Sequence, residues 1–133
     1  PISEHLARHK MADLFIDTYP YNGHTTCSDA LWSGLPVITL MGQSFASRVS
    51  GSLLNAVGLN ELITTTEKDY EDLIINVAKD SKKLKIIKNK LENNKTTQPL
   101  FNTKLYTNNI ETAYKEIYKR YHSDLPLENI EIK

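Results

Sequence analysis

The run Tyr21-Asn22-Gly23-His24-Thr25-Thr26-Cys27-Ser28-Asp29 gathers a glycine, an imidazole, two threonine hydroxyls and a carboxylate within nine residues. That set suits an anion held at a helix start. Gly23 permits backbone angles and close approaches closed to other residues, and the first amides of a following helix lack intrahelical acceptors and carry the positive end of its dipole. The hydroxyls of Thr25 and Thr26 and a ring nitrogen of His24 add donors, so the segment is a candidate phosphate seat. Asp29 would repel phosphate and suits ribose hydroxyls instead. Thr26-x-x-Asp29 is equally a helix capping box, and pattern alone leaves the two compatible roles evenly matched. His24 could also be a turn histidine bonded to nearby backbone.

Other chemistry-bearing residues give weaker signals. His5 and His9 lie four apart, as in a helical metal pair, but no Glu follows the first and no third ligand is evident, so no metal is expected. Cys27 would sit near a helix start where a thiolate can be activated, yet no base adjoins it and a small buried residue is the expected role. Trp32, with Leu31 and Leu35, reads as core. Arg48 could reach an anion, with a structural ion pair favoured. Tyr114, Ile117, Tyr118 and Tyr121 recur at helical spacing and suit helix packing better than base stacking. The lysines at 82–90 are interrupted by Leu84, Ile86 and Ile87 and form a solvated helix face.

The elements that must position these groups follow from hydrophobic period and punctuation. A short helix over 3–11 leads to a buried strand at 13–17, whose continuous apolar run Leu14-Phe15-Ile16 suits a parallel sheet. After the loop comes a helix from Thr25 ending at Gly34, then a second β-branched strand at 36–40, and a right-handed crossover makes the two parallel. A helix carrying Phe45, Val49, Leu53, Leu54 and Val57 on one side closes at Gly58, and 61–65 is a third strand. Helices follow over 67–79, capped by Thr66 with Asp69, from Ser81 to about Asn93, and over roughly 103–121. The tail LPLENIEIK has no evident place. The fold class is α/β: half of a doubly wound, Rossmann-like parallel sheet of about three strands with flanking helices and a helical C-terminus. Such a half-sheet has an exposed edge for missing neighbours, a swapped copy or an upstream half.

The 133 residues, 40% hydrophobic and 24% charged, describe one domain or part of one. Sixteen Lys and Arg balance sixteen Asp and Glu, so no whole-chain field attracts nucleic acid or an anionic membrane. No stretch reaches the roughly 20 apolar residues of a membrane span and the opening lacks a signal-peptide core. With a single cysteine there is no internal disulfide, and a cytoplasmic location is expected. The chain opens at Pro1 on helix-like sequence, as expected of a piece of a longer protein.

The run DLFIDTYPYNGHTTCSDALWSGLPVITLMGQSFASRVSGSLLNAVGLNELI, with EKDYEDLIINVAKD and TTQPLFNTKLYTNNIETAYKEIYKRY, resembles the C-terminal catalytic region of the O-linked N-acetylglucosamine transferases and their bacterial SPINDLY-like relatives, glycosyltransferase family 41. The resemblance covers residues 4 to about 121, and its motifs NGHTT-x-x-D-x-LW-x-G-x-P and FASRV are long and in order. It implies a GT-B enzyme of two Rossmann-like domains, usually preceded by tetratricopeptide repeats. Such enzymes move a sugar, here most simply N-acetylglucosamine, from a UDP-sugar to Ser or Thr of acceptor proteins without a metal. Residues 1–121 would then be the second half of the UDP-sugar-binding C-terminal domain, and 122–133 a tail. The same resemblance implies that His24, Thr25 and Thr26 hold the diphosphate, that Asp29 binds ribose, and that His5 contacts the nucleotide region. Ile2 stands where animal members carry a nucleotide-contacting Lys. The family's phosphate-binding Lys and catalytic residues lie upstream of Pro1, so no catalytic residue is expected in this chain, which would bind UDP weakly and transfer nothing alone. A non-catalytic Rossmann-like interaction or dimerisation module with a vestigial nucleotide site is the alternative. A sugar-nucleotide epimerase of similar architecture would share the phosphate seat without the FASRV segment.

Overall fold

The computed structural model describes residues 1–132 and divides into two compact units, residues 1–100 and the residues from 101 onward. In the first, α1 (Ile2–Arg8) and a 3₁₀ turn precede β1 (Phe15–Ile16), followed by α2 (Thr25–Trp32), β2 (Val37–Leu40), α3 (Val49–Ala56), β3 (Ile63–Thr64), α4 (Glu67–Lys79) and α5 (Ser81–Thr97). The sheet is parallel in the order β1-β2-β3, with Phe15 opposite Val37 and Thr39 opposite Ile63. This is the expected three-stranded α/β half-sheet, with β2 central because all four of its residues are buried. The strands are shorter than read from the sequence. A 3₁₀ turn at Asn60–Leu62, which buries Leu62, takes the start of the third run, while Phe15 N–H to Pro36 O (2.8 Å) and Asp17 N–H to Ile38 O (3.1 Å) carry the β1 ladder slightly beyond its two formal residues.

Helix ends explain how the crossovers stay short. α2 stops in a Schellman turn, in which Leu35 N–H reaches Ala30 O (2.9 Å), Gly34 N–H reaches Leu31 O (3.1 Å) and Gly34 takes φ +83°, a conformation that costs other L-residues about 1–2 kcal/mol. α3 ends on the same pattern at Gly58. α4 has the expected cap, with Asp69 N–H donating to Thr66 Oγ1 (3.1 Å) and the Thr66 hydroxyl donating to the Asp69 carboxylate (2.7 Å). α5 is capped by Asp80 rather than Ser81, since its carboxylate accepts from the amides of Lys82 and Lys83. It also runs past Asn93 to Thr97.

Three sequence expectations about packing are corrected. α3 starts only at Val49: Gly42 N–H to Ser47 O and Asn22 N–H to Ala46 O fold residues 42–48 into a turn, which leaves Phe45 off the helix and exposed. Trp32, read as core, is 53% exposed, because the last turn of α2 directs Leu31 and Ala30 inward. The core consists instead of Leu31, Val37, Ile38, Leu54, Val57, Leu59, Leu62, Val77 and Leu91. In the second unit α6 (Thr103–His122), capped by Asn102, buries none of its residues, so the tyrosine stripe read as packing is exposed. The tail finds a place in that unit. Arg120 donates to Pro126 O (2.9 Å) and pairs with Glu128 (2.6 Å).

Candidate functional site

Loop 18–24 joins the carboxyl end of β1 to α2, and its geometry is fixed by one buried carboxylate. Asp17, 4% exposed, accepts the Gly23 N–H at 2.7 Å through Oδ1 and the Thr39 hydroxyl of β2 at 2.6 Å through Oδ2. The Tyr70 hydroxyl of α4 donates to the Asp17 carbonyl. Asn22, also buried, donates from its side chain to Thr18 O (3.0 Å), and Ser50 of α3 donates to Gly23 O at 2.9 Å. The turn is thus tied to β2, α3 and α4. A Cβ on Gly23 would lie 2.8 Å from Thr26 Oγ1 and 3.3 Å from Asp17 Oδ1, so this close approach of loop to helix start needs glycine.

His24 is the N-cap of α2, and no side chain caps the helix. The capping-box reading of Thr26-x-x-Asp29 is therefore wrong: Thr26 is already the second helical residue, and Asp29 is engaged elsewhere. The first-turn amides of Thr25, Thr26 and Cys27 have no capping acceptor and carry the helix dipole's positive end. Thr25 and Thr26 are exposed beside them. The His24 ring stacks on Tyr21, with centroids 5.0 Å apart and planes 17° apart, and meets the edge of Phe45 at 6.0 Å. Its Nε2 is buried with no hydrogen-bond partner. The alternative of a turn histidine bonded to neighbouring backbone through that nitrogen is not realised.

His5 comes to the same place from α1. Its Nε2 lies 3.0 Å from Asp29 Oδ2, and Arg8 donates to its Nδ1 at 2.7 Å. Because a guanidinium can only donate, Nδ1 must accept, which leaves Nε2–H to donate to Asp29. His9 is occupied structurally, its Nδ1 lying 3.0 Å from His5 O. No group of three or more metal-ligating side chains occurs among the described residues. The fold thus brings His5, His24, Thr25, Thr26 and Asp29 to α2 and the element beside it.

Cys27 is fully buried. Burial pushes its thiol up to about 12, with Asp17's charge adding and the Ser50 hydroxyl partly offsetting, so it is a packed thiol and not an activated one. The ion pair favoured for Arg48 is not formed among the described residues; the exposed side chain donates to Ser44 O at 3.3 Å. Sequence reasoning gave no site role to Asp17, Asn22, Tyr21, Phe45, Ser50 or Tyr70. One available signal was a carboxylate closing a strand that the sequence reads as buried on both faces, a position that demands nearby donors, although β1 itself leaves Ile16 exposed and Phe15 only half-buried.

Comparisons with known proteins bear on this geometry. The sequence profile of Glycosyl transferase family 41 matches residues 1–110. A Caenorhabditis elegans UDP-N-acetylglucosamine–peptide N-acetylglucosaminyltransferase is 36% identical over 96% of this chain, which spans 11% of that relative. A probable Arabidopsis thaliana enzyme of the same description, SEC, is 38% identical over 91% of the chain and 12% of its own length. Among solved structures, a mutant O-GlcNAc transferase of Thermobaculum terrenum superposes with a TM-score of 0.75 at 32% identity, over 89% of this chain and 23% of that one. The chain therefore corresponds to a small part of each of these proteins.

Proposed function

We propose, from the premise that this chain belongs to glycosyl transferase family 41, that it supplies the UDP-sugar-binding portion of a protein O-glycosyltransferase, with N-acetylglucosamine as the sugar and Ser or Thr hydroxyls of proteins as acceptors. The observation that carries this is the uncapped start of α2, delivered by an Asp17-tied glycine turn at the carboxyl end of a parallel strand, where open α/β sheets take their ligands. In this reading the amides of α2, the hydroxyls of Thr25 and Thr26, and His24 hold the diphosphate. Asp29 accepts from ribose through the oxygen that His5 leaves available, and His5 borders the nucleoside. When the acceptor oxygen bonds to the anomeric carbon, the bond to the diphosphate breaks and charge gathers on UDP. Preorganised donors stabilise that charge, each worth about 2.7–4 kcal/mol by analogy with single oxyanion donors. No metal is required, and the base that takes the acceptor proton belongs to a part of the enzyme outside these residues. The upstream half of the catalytic region, or a second copy, would cover the β1 edge, where Ile16 is exposed. Residues 1–121 form the domain portion and 122–133 its tail, and the location is cytoplasmic; no described helix is long and apolar enough to cross a membrane.

The test is a UDP titration followed by NMR, with uridine and inorganic diphosphate as controls. Saturating shifts centred on residues 22–29, weakened by Asp29→Ala and by His24→Ala and poorly reproduced by either control, are expected. A folded chain that stays silent, together with silence at these positions in the longer protein, would defeat the reading. The purified chain should transfer no sugar to peptides; measurable transfer would disprove its inactivity in isolation.

A further inference from the structure

An apolar groove of about 380 Å³ lies where the β2 connection enters α3, and the nucleotide reading makes no use of it. Met41, Phe45, Val49 and Leu53 supply its apolar lining, Ser52 a hydroxyl and Arg48 its single charge. Arg48 and Ser52, like Val49 and Leu53, stand four residues apart at the start of α3 and so share its surface. Met41 lies against α3 because Gly51 leaves room for it, since a Cβ there would lie 2.8 Å from the Met41 sulfur. The turn at 42–48 that keeps Phe45 off the helix leaves its ring 74% exposed.

Arg48 sets what the groove can hold. Arg8 donates to His5 and Arg120 pairs with Glu128, and Lys68, Lys88, Lys90 and Lys95 each pair with a carboxylate. Arg48 differs. Its Nε donates to Ser44 O at 3.3 Å, which ties the guanidinium to a turn braced by Gly42 N–H to Ser47 O (2.9 Å) and Asn22 N–H to Ala46 O (3.0 Å). Its two terminal nitrogens make no bond to other described residues, and the lining contains no carboxylate to answer them. The groove therefore presents a planar fork of donors, already anchored at one nitrogen, beside four apolar side chains. A diphosphate calls for more than one cation, and a sugar ring for more neutral polar partners than Ser52. A lone guanidinium next to Met and Phe is instead the composition of a protein interface, and it complements a segment that sets a carboxylate beside an apolar side chain.

We propose that this groove docks an extended segment of a partner protein in which an acidic and a large apolar residue stand two positions apart, so that both side chains leave the same face of the segment. The apolar side chain lies on Met41, Phe45, Val49 and Leu53, and the carboxylate accepts from the terminal nitrogens of Arg48. The assignment does not depend on where UDP binds. The experiment titrates the ¹⁵N-labelled chain with a peptide carrying Asp and Leu two positions apart, with counterparts in which Asn replaces the Asp or Ala replaces the Leu, and with UDP. The acidic peptide should shift the amides of residues 45–53 and bind roughly fivefold more tightly than either counterpart. Arg48→Gln should abolish the preference for Asp over Asn, and Phe45→Ala the preference for Leu over Ala; both side chains are exposed, so neither substitution threatens the fold. Peptide binding with residues 22–29 silent to UDP supports this docking and counts against the nucleotide reading alone. Silence at 45–53 with every peptide, equal binding of the Asp and Asn peptides, or a preference that survives Arg48→Gln would overturn the proposal. Displacement of the acidic peptide by UDP that is lost in Arg48→Gln would overturn it too, by giving the guanidinium to phosphate.

Discussion

Asp17→Ala removes the acceptor of two bonds at once, the Gly23 N–H at 2.7 Å and the Thr39 hydroxyl at 2.6 Å. A hydrogen bond to a charged group is worth about 1.5–3 kcal/mol, and a buried donor left without an acceptor loses the full benefit. Thr39 is fully buried, so water cannot replace its acceptor, while half-buried Gly23 can be partly rescued. The loss is therefore set near the lower bound for two bonds, about 3 kcal/mol. That is a large share of the roughly 5–15 kcal/mol that holds a domain folded. Asp17→Asn keeps an oxygen for Gly23 and turns an amide toward Thr39, whose hydroxyl can rotate and accept, so it should cost only about 1 kcal/mol. Urea unfolding of the three proteins at pH 7, read by circular dichroism, measures both values. The alanine variant should also lose the UDP response at residues 22–29 that the asparagine variant keeps. An alanine variant within about 1 kcal/mol of the parent would refute the reasoning. Equal damage from both substitutions would do so as well, since it would make charge, not loop geometry, the cause.

Two further outcomes follow from single residues. The Cys27 thiol, raised by burial to about 12 from an unfolded value of 9.0, keeps its proton in the folded chain at pH values where the unfolded chain has lost it. Stability from this group is whole below pH 9 and falls by about 1.4 kcal/mol per pH unit above it, with Tyr70, also raised to about 12 by burial and Asp17's charge, acting in the same direction at higher pH. Urea midpoints between pH 8.5 and 10.5 should fall less steeply for Cys27→Ala, and parallel slopes would contradict the burial assigned to the thiol. Gly34→Ala forces a side chain at φ +83° with its Cβ 2.2 Å from a Glu92 carboxylate oxygen; the flexible Glu92 can yield, but the backbone term of about 1–2 kcal/mol should lower the melting temperature, and an unchanged value would count against the Schellman geometry.

Local signals were legible wherever one residue type satisfies one backbone need. Gly34 and Gly58 end their helices as read, Thr66 and Asp69 cap α4, and the β-branched run at 37–40 is the buried central strand. Legibility failed where a distant partner decides. The sequence offers two starts for α2, a helix from Thr25 and the Thr26-x-x-Asp29 capping box. The Asp17 bond to Gly23 selects the first, and His5, 24 residues upstream of Asp29, takes the carboxylate that a capping box would have used. Phe45 shows the same limit, since helical periodicity included it but the Asn22 amide bonding to Ala46 O keeps the preceding turn from winding. The role of Asp17 depends on Thr39, across a strand pair, and no local window contains both.

The loop's polar groups divide into those the fold consumes and those it leaves available. Asp17 and Ser50 spend their side chains holding Gly23. His24 does the opposite: its ring stacks on Tyr21 and meets the edge of Phe45, and its buried Nε2 has no partner, at a cost of about 1–3 kcal/mol for a buried polar atom left unsatisfied. Both neighbouring rings are largely solvent-exposed, so displacing them sacrifices little packing. A phosphate oxygen reaching that nitrogen would recover the unpaid hydrogen bond, and the ring would then face the same anion as the amides of α2. In the proposed reading the imidazole would then add one more donor to the diphosphate, on a loop that Asp17 already ties to Gly23.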